Sequence, residues 1–108
     1  MVRPASLEMR IVADATAVNV TPSGELDLSN VGELRTTLWA LISDGRRRLV
    51  LDLGELDFID TSGLHLVLDL VRHCAREGVA LEVARGRYPI RRAFELAGLE
   101  RVVPFIGD

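Results

Sequence analysis

The sequence predicts an α/β protein: an open mixed sheet of four or five strands packed against three or four helices, in the order ββαβαβαβ. Three features carry that prediction. Short apolar runs alternate with longer stretches whose apolar residues recur at helical spacing. Gly45, Gly78 and Gly98 stand just past the helical stretches, and Pro89 suits the first turn of another. The later strands are each separated by a helical stretch, which makes them parallel neighbours joined by right-handed crossovers.

Taken in order, Leu7 to Val12 and Ala15 to Val20 read as two strands of a hairpin turning near Ala13-Asp14. Pro22-Ser23-Gly24 reads as a turn, from which Gly24-Glu25-Leu26-Asp27 leads into the first helix. Ser29 is the expected N-cap, with Val31, Leu34, Leu38, Leu41 and Ile42 on one helical face. Trp39 lies beside that face and reads as a half-buried boundary residue, with self-association the other reading. Arg48–Leu53 is short, continuous and apolar, as a buried strand is. Gly54 to Ile59 reads as the connector to a helix over Thr61–Glu77. Leu64, Val67, Leu68, Val71 and Ala75 form that helix's core stripe, which leaves Leu66 and Leu70 as candidates for a partner surface. Val79–Val83 is a further strand, and a third helix runs from Pro89 to about Leu96 with Ile90, Ala93 and Phe94 inward. Val102 to Ile106 reads as a last strand at the sheet edge, because Pro104 has no N–H for a ladder.

The 108 residues suit one domain over 1–108, with its core at about 7–106. A formal net charge of −3 argues against a nucleic-acid binder, which needs a basic face. No run approaches the roughly 18 apolar residues of a membrane span, and the N-terminus has no apolar leader, so a soluble, unprocessed cytoplasmic protein is expected. Cys74 is the one cysteine and reads as a small buried hydrophobe. His65 and His73 are two turns apart on one helix, too far for a shared metal. Neither a glycine-rich phosphate loop with its lysine nor a Ser–His–acid spacing is present. No enzyme, metal or cofactor is therefore expected. Arg46-Arg47-Arg48 suits a solvated helix end, and Arg85, Arg87, Arg91 and Arg92 gather at the third helix as a solvated face or, in a rival reading, a nucleotide-handling site.

The most informative segment is Asp60-Thr61-Ser62-Gly63-Leu64, which places two adjacent hydroxyls, a carboxylate and a glycine at a helix start. The first turn of a helix has unpaired N–H groups and a partial positive charge, so a phosphate on Thr61 is tolerated by the fold. Plain N-capping explains Thr61 or Ser62 equally well on physics alone, and Asp60 and Asp27 suit capping roles too.

With Gly24-Glu25-Leu26-Asp27, Asp60-Thr61-Ser62-Gly63-Leu64 and Leu96-Ala97-Gly98-Leu99 together, the chain resembles STAS domains, and among them the bacterial anti-sigma-factor antagonists. The resemblance covers about Leu7 to Ile106. It implies a partner switch. The unmodified antagonist binds an anti-sigma-factor serine/threonine kinase and frees the sigma factor; phosphorylation of the hydroxyl after the motif aspartate ends that binding, and a phosphatase restores it. Here the acceptor is Thr61, with Ser62 as the alternative, and Asp27, Asp60, Ser62, Gly63, Leu64 and His65 form the docking surface. Gly63 is expected to keep that surface flat. Two departures stand out: threonine at the acceptor where serine is common, and His65 where a glycine or small residue is common. A monomer or weak dimer is expected. The alternative function is an unphosphorylated STAS scaffold or transporter accessory subunit.

Overall fold

The computed structural model describes residues 7–107. Its elements are β1 (Glu8–Ala13), β2 (Ala17–Leu26), α1 (Val31–Ser43), β3 (Arg48–Asp52), β4 (Leu56–Ile59), α2 (Thr61–Glu77), β5 (Ala80–Ala84), α3 (Tyr88–Leu96) and β6 (Phe105–Ile106). The sheet order is β1-β2-β3-β5-β6, with β4 paired to β2. β1 is antiparallel to β2, and every other pair is parallel. The expected α/β class, the hairpin, the parallel later strands and the edge position of the last strand are all present.

The sheet has six strands rather than four or five, and the extra one changes how the site is built. Pro22-Ser23-Gly24 is not a turn: β2 runs straight through it to Leu26. β3 is in register with Ala17–Val20, and β4 takes up the far end of β2 at Gly24–Leu26. Pro22 falls between those two registers, paired only to Met9 of β1, where its missing N–H is cheap. The register shift between Gly24 and Glu25 uses the positive φ of Gly24 (100°), a conformation glycine adopts freely. Only Gly54 and Glu55 of the Gly54–Ile59 stretch are accordingly connector, since its last four residues form β4.

The core is one continuous cluster between the sheet and the helices, from Leu7 to Val103. α1 contributes Leu34, Leu38 and Ile42, and α3 contributes Ile90 and Phe94. The stripe of α2 differs from the expected one. Leu66 and Leu70 are 0% exposed, while Ala75 faces solvent and Val71 is only half-buried. The reason is that α2 packs against α1 as well as against β4 and β5, so its buried arc is wide. Leu66 and Leu70 are therefore core and offer nothing to a partner. Cys74 is buried too, and burial pushes its thiol up to about 11, which keeps it protonated and inert. Among the described residues, no helix is long and apolar enough to cross a membrane.

Candidate functional site

The parallel strands β2 and β4 end side by side, with Leu26 opposite Ile59. The backbone N–H of Asp60 donates to the Leu26 carbonyl at 3.1 Å, which fixes where the next helix begins. Asp60 is the N-cap of α2, in an extended conformation. Its Oδ1 accepts from the Gly63 N–H (3.1 Å) and from the Ser62 hydroxyl, and its Oδ2 accepts from the Leu28 N–H (3.1 Å). Donors from Leu28, Ser62 and Gly63 thus converge on one carboxylate, and the loop before α1 is tied to the start of α2. Desolvation pushes the Asp60 carboxyl up, but hydrogen bonds from the Ser62 hydroxyl and from the Gly63, Leu28 and Ser62 N–H groups together outweigh it. The net effect holds the carboxyl below the ordinary carboxylate value, and so charged near neutrality.

The two hydroxyls of the segment fare differently. Thr61, the first residue of α2, is exposed, and among the described residues its hydroxyl has no side-chain partner. Ser62 is half-buried and its hydroxyl is occupied by Asp60. Gly63 is buried rather than part of a flat outer surface. A Cβ there meets Ile59 Cγ1 at 2.6 Å and a Leu26 methyl at 3.1 Å, so the glycine lets α2 sit directly on the ends of β2 and β4. Leu64 is buried with one edge showing, and His65 is exposed one turn along the helix from Thr61.

Asp27 takes a more local part. Its Oδ1 accepts from both the N–H (2.9 Å) and the hydroxyl (2.6 Å) of Ser29. The N-cap of α1 is Asn30, not the expected Ser29. Buried Asn30 braces the loop by accepting from the Asp27 N–H (3.0 Å) and donating to the Glu25 carbonyl (2.8 Å). Asp27 therefore shapes the loop that reaches Asp60 through Leu28.

Beside Thr61 lies a shallow apolar groove of about 160 Å³ between α2 and the end of α3, lined by Thr61, Leu64, His65, Leu68, Ala97 and Leu99. A wider, more open depression on the other flank shares Thr61, Leu64 and Ala97 and adds Asp60 and Leu96. Leu28 (77% exposed) and Leu96 (72% exposed) stand on the surface with their apolar side chains uncovered. The end of α3 is the part of the site that sequence reasoning missed. Its signal was present: Leu96 and Leu99 do not fall on the Ile90–Phe94 stripe, and Leu96 stays exposed while Leu99 packs only partly against the core.

The rest of the surface is largely self-satisfied. Arg87 pairs with Asp57 (2.7 Å), Arg92 with Glu95 (3.6 Å), and Arg85 lies over the Phe105 ring (4.7 Å). These arginines turn to separate partners rather than toward one ligand. Trp39 is covered by its own chain, stacked on His73 at 4.6 Å with Arg35 on its ring.

A mixed sheet of this order, with a helix launched from an Asp-Thr-Ser-Gly-Leu start at its parallel strand ends, defines a STAS domain. The STAS domain family model matches residues 7–108, and the chain belongs to that family. It is 32% identical over 81 residues to the protein named "Putative anti-sigma factor antagonist BtrV" of Bordetella bronchiseptica; the match covers 75% of this chain and 70% of that one. It is 30% identical to the anti-sigma-B factor antagonist of Staphylococcus aureus, covering 75% of each. The crystal structure of an anti-sigma factor antagonist from Mycobacterium paratuberculosis superposes with a TM-score of 0.85 at 25% identity, over 100% of this chain and 92% of that one.

Proposed function

We propose that the protein is an anti-sigma-factor antagonist that works by partner switching in the bacterial cytoplasm. Unmodified, it binds an anti-sigma factor that is also a serine/threonine kinase, and so frees the sigma factor. The kinase transfers the γ-phosphoryl group of ATP to Thr61 Oγ1: the Oγ1–P bond forms, the bond to the ADP leaving group breaks, and the hydroxyl proton passes to a base on the kinase. A phosphatase hydrolyses the ester and resets the switch. The antagonist itself is a binding regulator and supplies no catalytic group.

The observation that carries this reading is the contrast between the two hydroxyls. Thr61 is exposed and unengaged at the rim of an apolar groove, whereas Ser62 is held by Asp60. A phosphate adds roughly −1.5 to −2 charges beside a carboxylate that is already ionised. A partner pressing Leu28, Leu96 and the groove out of water must then bury like charges. A penalty of about 3 kcal/mol weakens binding about a hundredfold. Neither Asp60 nor Gly63 has to move for this, so the switch acts on charge and access rather than on shape.

The test is intact-mass and peptide analysis after incubation with ATP and the native cell extract. One phosphate on the peptide carrying Thr61, absent in Thr61→Ala, is the expected result. Persistence of the phosphate in Thr61→Ala shifts the site to Ser62, and no incorporation under conditions where the native partner is active removes the switch.

A further inference from the structure

His65 and His73 are the two histidines of the chain, and they are placed very differently. The His73 ring is stacked on Trp39, with the two planes 7° apart. His65 is exposed and lines the same groove as Thr61. Residues four apart on a helix are neighbours on one face, with Cβ atoms about 5–6 Å apart, within reach of a phosphate on one and an imidazole on the other.

We propose that His65 is a built-in ligand for the phosphate on Thr61, its imidazolium N–H donating to a phosphate oxygen across the mouth of the groove. The inference rests on Thr61 being the acceptor. The charged surroundings leave the imidazole free for this. On its own helix, the next acid along the face is Asp69, which is already held by Arg35 of α1 (2.7 Å) and faces Arg72 (3.9 Å). Asp60, on the other side of Thr61, has both oxygens occupied by donors. From the α3 side the groove is closed by Ala97 and Leu99, which carry no charge. Glu95, in the last turn of α3, is paired with Arg92, and Glu100 and Arg101 beyond Leu99 face solvent.

The pairing gives the phosphorylated form a second means of refusing its partner. The phosphate is drawn over the groove, so that the apolar pocket is capped as well as flanked by negative charge. It also makes the modified state sensitive to pH. A phosphate monoester loses its second proton near pH 6, and a positively charged donor beside it favours the doubly ionised form.

Incorporating phosphothreonine at position 61 during translation tests this without any kinase. The probe is the 31P resonance of the full-length phosphorylated protein, followed from pH 4.5 to 8. With His65 present, the midpoint of the phosphate's second ionisation is expected about half a pH unit lower than in His65→Gln. That is less than the roughly one to three units an opposite charge exerts in a shielded site, because solvent screens this one. His65→Arg, which keeps a positive charge, restores the low midpoint, and His73→Gln leaves it in place. Coincident midpoints for the native protein and His65→Gln overturn the inference. That outcome says nothing against Thr61 as the acceptor, which the peptide analysis decides separately.

Discussion

α1 and α2 each begin just past the end of a strand, and at each beginning an aspartate Oδ1 accepts from a serine hydroxyl two residues on: Asp27 from Ser29, and Asp60 from Ser62. Beyond that shared pattern they diverge. At α1 the remaining bonds stay in the loop, where Asn30 closes back onto Asp27 and Glu25. At α2 the aspartate also reaches Leu28, 32 residues away in sequence, and the glycine below it is wedged against Ile59 and Leu26. The first start is braced within its own loop except at Leu28; the second is bolted to the sheet and, through Leu28, to that loop. Under the proposed switch, a hydroxyl displayed on the second would gain or lose a phosphate while the platform beneath it stays fixed.

The largest effect expected from this difference is on binding. Thr61→Glu should weaken the complex with the anti-sigma partner about a hundredfold. Ser29→Glu, an acid at another exposed position near the start of α1, should change it only a few-fold; both are read by calorimetric titration. Equal losses from the two would mean that the docking surface is not centred on α2. Next come the glycines. Gly63→Ala should cost about 2 kcal/mol, because its Cβ must displace Ile59 at the root of the side chain. Gly32→Ala, in the first turn of α1 with open space around its Cβ, should stabilise by up to about 1 kcal/mol. Urea unfolding of both variants measures the contrast, and a tolerated Gly63→Ala breaks it.

The smallest expected contrast lies in the caps. Asp60→Ala should cost about 1–2 kcal/mol and Asp27→Ala less, since only Asp60 holds a distant N–H. The Asp60 cost should also depend on pH. Its folded-state value is depressed, so the ionised group contributes stability in full above the ordinary carboxylate value near 3.9, and that contribution is lost as pH falls through the lower folded value. The gap between the native protein and Asp60→Ala, measured by chemical unfolding at several pH values, should be constant from pH 7 to 5 and shrink below 4. A gap that widens in acid contradicts the role of the charged cap.

Much of this was legible in the sequence. Periodicity and glycine placement mark α2 at Thr61–Glu77, and the Asp-Thr-Ser-Gly-Leu start is conspicuous in the sequence itself. What stayed hidden depends on tertiary partners. β4 is four residues long and includes the exposed Asp57 and Phe58, so no apolar run announces it; it is a strand because the end of β2 extends past β3 and needs a neighbour. Pro22 and Gly24 carry turn chemistry, yet here they serve the changeover between two partner strands. Leu66 and Leu70 fell off a one-sided helical stripe because α2 is enclosed from two sides. Gly63 looked like an open surface and is instead a close contact, which only the neighbouring Ile59 reveals. At the site, the sequence offered two hydroxyls, and only the structure shows that the Ser62 hydroxyl is bonded to Asp60.

The most direct measurement is a side-by-side calorimetric titration of the anti-sigma kinase with the unmodified protein and with the protein carrying phosphothreonine at position 61, each accompanied by a melting curve. Affinity reduced about a hundredfold at an unchanged melting temperature is the expected result. Undiminished affinity, or weakened binding that comes only with a collapsed melting temperature, contradicts a switch that acts by charge on an intact platform.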